Sequence, residues 1–178
     1  GTPLTGCEPS CVLTLADELP ALAEGSGTAA EAEAARAVAA RSVLVDDLLA
    51  DALEDGTLRP DPDAEVAGRP IVFHGHCHQK AAHALEGSVR LLRAIPGATV
   101  DVLDAGCCGM AGSFGFEREH YDLSMAIGAQ RLFPAIRGAA DDALVAATGV
   151  SCRQQIAHGT GRVALHPALL LRKAVRLP

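Results

Sequence analysis

The chain has 178 residues, of which 49% are hydrophobic and 21% charged, and its 15 Lys+Arg against 22 Asp+Glu leave a formal charge of −7. That is the profile of one soluble globular core rather than a disordered tail. With no Trp, a single Tyr and an acidic balance, the sequence lacks the stacking platforms and cationic stripe of a nucleic-acid binder.

No run approaches the roughly 18 consecutive apolar residues of a membrane helix, because Glu31, Glu33, Arg36 and Arg41 interrupt the Ala-rich stretch after Thr28. The sequence opens without a basic segment followed by an apolar one, so its six cysteines are expected to be cytoplasmic thiols or metal ligands rather than a secreted disulfide framework. The start in Gly1-Thr2-Pro3 is expected of a chain cut from something longer.

From Ser10 to Leu22 the apolar spacing predicts a helix that ends near Pro20, with Gly25-Ser26-Gly27 as a hinge. Thr28 is then an N-cap with Glu31 as its capping-box partner, and Val38, Val45, Leu48, Leu49 and Leu53 keep a helical period until Asp55-Gly56. Pro60, Pro62, Gly68 and Pro70 make Arg59–Pro70 a linker.

A unit then repeats: a short apolar run, a loop rich in Gly, Cys or His, and a helical stretch. The runs are Ile71–Phe73, Thr99–Leu103, Ala143–Ala147 and Arg162–Leu165; the helical stretches are His78–Ala94, Phe116–Arg137, Cys152–His158 and Pro167–Val175. Short strands alternating with helices predict an α/β, Rossmann-like layered domain with a mostly parallel sheet. In such a sheet, chemistry collects beyond the carboxyl ends of the strands, where the four later cysteines fall. There is also an internal echo: Leu4-Thr5-Gly6 leading to Ser10-Cys11 matches Ala147-Thr148-Gly149 leading to Ser151-Cys152.

Those four cysteines are Cys77, Cys107, Cys108 and Cys152, with no C-x-x-C pair among them. Knuckle-built zinc ribbons and thioredoxin-like exchange both lose their motif, and only Cys7-x₃-Cys11 comes near a knuckle. Adjacent Cys107 and Cys108 do not readily close a relaxed disulfide, but they can send two thiolates to one polynuclear centre. Gly106, Gly109 and Gly112 allow the loop around them a close approach to a cofactor. Taken singly, each cysteine reads as a small buried hydrophobe. Together at strand-end loops they need a metal to neutralise them, and soft thiolates select iron-sulfur clusters or zinc.

His74-Gly75-His76-Cys77-His78 is the second dense spot. A strand continuing to His78 would put His74, His76 and His78 on one face and Cys77 on the other; a strand ending at Phe73 makes no such prediction. The favoured reading has these imidazoles capping the next helix or hydrogen-bonding beside the metal, ahead of direct ligation. Ala111-Gly112-Ser113-Phe114-Gly115 is a near miss to a hydrolase elbow and reads as loop, His158 and His166 read as loop or cap residues, and Glu117–His120 as the wet face of a helix.

Gly6-Cys7-Glu8-Pro9-Ser10-Cys11, His74-Gly75-His76-Cys77-His78-Gln79-Lys80, Gly106-Cys107-Cys108-Gly109-Met110 and Ser151-Cys152-Arg153-Gln154-Gln155-Ile156 together resemble the cysteine-rich CCG-domain family. That family includes iron-sulfur portions of FAD-linked 2-hydroxyacid dehydrogenases, glycolate oxidase iron-sulfur subunits, the C subunit of anaerobic glycerol-3-phosphate dehydrogenase and the B subunit of heterodisulfide reductase. The resemblance implies tandem copies of a Rossmann-like domain: residues 1–58 as the end of a first copy with connecting helices, 59–70 as a linker, and 71–178 as a complete second copy.

It further implies that Cys77, Cys107, Cys108 and Cys152 hold a [4Fe-4S] cluster, that Cys11 belongs to the first copy's site, and that His74, His76 and His78 lie near the metal. Gln155 stands where the heterodisulfide reductase pattern carries a further cysteine, so four ligands remain. No ferredoxin-type C-x-x-C-x-x-C segment and no flavin-binding region lie in these residues, so the implied partners are a flavin-containing domain or subunit, a ferredoxin-like domain and, through them, a quinone or membrane acceptor. FAD is expected only outside this chain. The implied function is an electron-transfer module that lacks the substrate-oxidising domain, cytoplasmic or peripheral at the inner membrane through a partner. The alternatives are a Zn²⁺-binding structural or docking domain, and a thiol enzyme with Cys77 as nucleophile and one of His74, His76 or His78 as base.

Overall fold

The computed structural model describes residues 1–176. Four strands, β3 (Pro70–His74), β4 (Thr99–Val102), β5 (Leu144–Ala147) and β6 (Ala164–Leu165), form an all-parallel sheet in the order β4-β3-β5-β6. A second, two-stranded parallel sheet pairs β1 (Leu4–Gly6) with β2 (Ser42–Leu44). The expected α/β architecture with parallel strands flanked by helices is present.

The main sheet is covered on both faces because its strands alternate between two apolar layers. In β3, Ile71 and Phe73 join Leu91, Leu92, Leu170 and Leu171, while Val72 joins Leu132, Phe133, Ile136 and Ile156 on the opposite face. Phe73 is fully buried, which is worth about 1.5–3 kcal/mol for a side chain of its size. The first layer is built by α4 (Val45–Glu54), α6 (Glu86–Arg93) and α10 (Pro167–Ala174), the second by α8 (Leu132–Gly138) and α9 (Val150–Thr160). The chain passes from β3 outward to β4 and then returns across β3 to β5. The strand order therefore reverses around β3, and a crevice opens beyond the carboxyl ends of β3, β4 and β5.

Several predicted helices are broken where local chemistry prevails. The first does not end near Pro20: α1 (Pro9–Leu13) continues through a π-helical turn at Thr14–Glu18 into α2 (Leu19–Ser26). Pro20 falls in the first turn of α2, where its missing N–H costs little. The Thr28–Glu31 capping box opens α3 (Ala29–Ala39) as expected, but the helical period after it is split by β2, which the β-branched Val43 and pairing with β1 favour. The stretch from His78 to Ala94 divides into α5 (Cys77–Ala81) and α6, with His83 at positive φ between them. Phe116–Arg137 divides into a 3₁₀ turn at Phe114–Phe116, α7 (Tyr121–Gln130) and α8. Glu117–His120 accordingly lie on a turn before α7 rather than on a helix face.

The segment 59–69 has no helix or strand, and Pro60 makes an isolated bridge to Val175. The sequence echo has a structural counterpart. At α1 and α9 alike, a short strand and two linking residues lead into a helix whose third residue is the cysteine, Cys11 or Cys152. Among the described residues, no helix is long and apolar enough to cross a membrane.

Candidate metal centre

Three strand ends deliver the four cysteines. Gly75 and His76 link β3 to α5, which opens on Cys77; Cys107 and Cys108 lie in the irregular loop after β4; Thr148 and Gly149 link β5 to α9, whose third residue is Cys152. Because these strands are adjacent and parallel, the loops converge on one cleft of about 430 Å³ lined by His76, Cys77, His78, Cys107, Cys108 and Ser151, among others. Cys108 and Cys152 are buried, Cys77 and Cys107 half-buried, and all four are free thiols. Cys7 and Cys11 are exposed and do not line this cleft.

The four thiols act on one another. Cys107 pushes Cys77 up, and Cys107 and Cys152 push Cys108 up, with burial adding to both. The same contacts pull their acceptors down. Cys107 falls well below the usual thiol value under the donors Cys108 and Cys77, with the Gly109 N–H at 3.3 Å helping against burial. Cys152 falls to about 5, first through Cys108 and then, against burial, through His74. A thiol that donates favours the charged form of the sulfur that accepts. Among the described residues, no three of these sulfurs lie mutually within 4.8 Å.

The loop carrying Cys107 and Cys108 has positive φ at Gly106, Gly109, Ala111 and Gly112. At Gly109 this matters most: φ is +98°, and a Cβ there would stand 2.2 Å from the Ser124 carbonyl oxygen. Gly149 is the other tight point, where a Cβ would meet the His76 ring at 2.4 Å and Cys152 Sγ at 3.2 Å. Lys80 Nζ donates to the Gly106 carbonyl at 2.9 Å, tying α5 to the loop. Burial lowers its pKa, opposed by the neighbouring cysteines and Asp104.

β3 ends at His74, so neither strand reading of the histidines applies and each has its own place. His76 is the N-cap of α5: its Nδ1 accepts from His78 N–H at 3.2 Å, and its Nε2 lies 3.7 Å from Glu8 Oε1. Burial lowers the pKa of His76, and a neutral ring with its proton on Nε2 satisfies both contacts. His78 is exposed on the cleft wall. His74 is fully buried, and neither ring nitrogen has a hydrogen-bond partner. His166 caps α10, accepting from Ala168 N–H at 3.1 Å, and His158 sits exposed on α9.

Sequence reasoning missed the residues that hold this frame. Gln79, fully buried, accepts from His76 N–H at 3.3 Å and Thr148 Oγ1 at 2.6 Å, and donates to Ser88 Oγ at 3.1 Å; Ser88 in turn donates to Asp46 Oδ2 at 2.5 Å. This buried chain joins α4 to the loops bearing Cys77 and Cys152. Gln155 donates to Ser124 O and Oγ at 3.1 and 3.0 Å, fixing α9 to α7 behind the cysteine loop. The one available signal was polar residues standing next to ligand candidates at helix starts.

Comparison with known proteins finds this chain similar to parts of dehydrogenases. It is 40% identical over 105 residues to the C subunit of anaerobic glycerol-3-phosphate dehydrogenase from Escherichia coli K12, covering 59% of this chain and 26% of that protein. It is 31% identical over 180 residues to D-2-hydroxyglutarate dehydrogenase of the same strain, covering 99% of this chain and 16% of the relative. The corresponding enzyme of Pantoea ananatis is 28% identical over 179 residues, covering 98% of this chain and 16% of that protein. The chain thus spans about a quarter or less of the length of these curated relatives. No family model and no solved structure matches.

Proposed function

We propose that this chain, which belongs to the cysteine-rich CCG-domain family, is the iron-sulfur electron-transfer module of a flavin-dependent 2-hydroxyacid dehydrogenase or relative. The observation that carries this reading is that three neighbouring strand ends deliver all four cysteines, with Cys77, Cys107 and Cys108 lining one cleft and the buried Cys152 directly following its lining residue Ser151. The residues suit a polynuclear centre on three counts. Their donors are all soft thiols. No three of the sulfurs lie mutually within 4.8 Å among the described residues, a wider spacing than in a tetrahedral zinc site, whose bonds of about 2.3 Å would draw four sulfurs close together. The loop around two of the cysteines takes positive φ at Gly106 and Gly112, with nothing within 4 Å of where a Cβ would stand.

The four cysteines would hold a [4Fe-4S] cluster, which supplies a one-electron carrier. The chain's own residues do the rest. Gly106 to Gly112 wrap the backbone around two of the ligands, with the Gly109 N–H already on the Cys107 sulfur. Lys80 brings a cation beside the thiolates, offsetting negative charge in a half-buried site. His76 and Gln79 fix the start of α5 and with it Cys77. Cys11 would belong to a first-copy site, with residues 1–58 ending that copy, 59–70 linking, and 71–178 forming the second; Leu177 and Pro178 lie outside the described residues.

The flavin belongs to another domain or subunit, electrons leave through a ferredoxin-like domain toward a quinone or similar acceptor, and the setting is cytoplasmic or peripheral to the inner membrane through that partner. The test is to assemble Cys107→Ser and Cys108→Ser anaerobically with iron and sulfide beside the unaltered chain. Each variant is expected to lose most bound iron; unchanged iron in both contradicts the assignment.

A further inference from the structure

Resting on the cluster reading above, we propose that the His74 imidazole donates a hydrogen bond to the Cys152 sulfur and thereby holds up the reduction potential of the bound centre. The placement comes from the strand. Side chains of β3 alternate, and Val72 packs in the layer that contains Cys108 and Cys152, while Ile71 and Phe73 pack in the other. His74, two residues beyond Val72, stands on the cysteine face. It has 0% exposure, and Cys152 has 1%.

The second observation is that His74 alone among the buried histidines leaves both ring nitrogens without a partner. His76 uses Nδ1 as a helix cap and turns Nε2 toward Glu8. His166 accepts from Ala168 N–H and places Nε2 3.0 Å from the Cys7 carbonyl. A buried imidazole must keep at least one N–H, and an unpaired one is costly. Cys152 supplies the acceptor: β3 pairs with β5 so that His74 stands opposite Ala147, at the strand end that leads through Thr148 and Gly149 into α9 and its third residue, Cys152.

A donor aimed at a ligand sulfur withdraws electron density from the centre. It favours the more negative, reduced form over the oxidised one, so its removal lowers the potential. His74 reaches the metal only through Cys152 and is a positioning residue in this sense.

The test uses the full chain assembled anaerobically with iron and sulfide, titrated with dithionite and followed by its visible spectrum. His74→Leu keeps the bulk and loses the donor, whereas His74→Gln keeps an N–H. With iron and sulfide content equal to the unaltered chain, His74→Leu is expected to titrate lower by about tenfold in the reduction equilibrium, which is about 59 mV for one electron; His74→Gln is expected to lie between the two. A loaded His74→Leu with unaltered potential overturns the hydrogen bond and leaves the cluster reading standing. An unaltered chain that takes up no iron and sulfide overturns both.

Where neither variant assembles, pulsed EPR of the reduced, ¹⁵N-histidine-labelled chain decides. One weak nitrogen coupling supports the hydrogen bond; no coupling, or the strong coupling of a directly bound nitrogen, overturns it.

Discussion

Glu8 and Val150 stand 142 positions apart and meet as carboxylate and amide, with Glu8 Oε2 accepting the Val150 N–H at 2.8 Å. Val150 opens α9, so the carboxylate occupies a helix start that would otherwise leave that donor unsatisfied. The other oxygen accepts from Ser10 Oγ at 3.1 Å and lies 3.7 Å from His76 Nε2. One side chain near the start of the sequence thus steadies both the helix of Cys152 and the cap of Cys77.

Glu8→Ala is therefore expected to cost about 1 kcal/mol, the usual loss for a helix-end acceptor, and Glu8→Gln to recover most of it. Urea unfolding of the three proteins measures this. An alanine variant as stable as the unaltered chain would show that the contact contributes nothing.

The cysteine loop depends on Gly109 more than on Gly106. Both have positive φ, but a Cβ at Gly109 would strike the Ser124 carbonyl, whereas at Gly106 it would meet nothing within 4 Å. Gly109→Ala is expected to destabilise by about 2 kcal/mol or more, and Gly106→Ala by roughly 1 kcal/mol from backbone conformation alone. Thermal melts of the two variants that coincide would count against the close approach of α7 to this loop.

Asp46 yields a pH dependence whose sign is unusual for a carboxylate. Burial raises its pKa above 3.8, with the Ser88 hydrogen bond and His166 opposing, and its Oδ1 has no partner. The unfolded chain therefore releases this proton first as pH rises. The contribution of Asp46 to stability is full below pH 3.8, declines up to the raised folded value, and is constant above it. Asp46→Asn keeps an oxygen for Ser88 and has no such decline. Its stability relative to the unaltered chain is expected to rise as the pH is taken upward through 3.8 to the raised folded value, by about 1.4 kcal/mol for each tenfold difference between folded and unfolded acidity. Parallel urea-unfolding profiles across that range would refute this.

Much of the frame was legible because strands and caps are local. The strands at Ile71, Thr99 and Ala143 and the Thr28–Glu31 box follow from short-range pattern, and the positions of Cys77, Cys107, Cys108 and Cys152 beyond strand ends follow from the strands. What could not be read depends on distant partners. β2 exists because β1 pairs with it at the expense of a helical period. The division between α5 and α6 lets Gln79 bond the Ala84 carbonyl at 3.3 Å and reach Ser88. The different fates of His74, His76 and His78 were hidden for the same reason: the strand stops at His74, one residue beyond the run that apolar character marked.

Whether the four cysteines hold a cluster is decided by iron, zinc and acid-labile sulfide on one anaerobically prepared sample of the unaltered chain, with its visible spectrum before and after reduction. A [4Fe-4S] centre gives about four iron and four sulfide per chain with a brown chromophore that bleaches, which is the expected result. About one zinc per chain with no sulfide would contradict it and make the four cysteines a structural metal site.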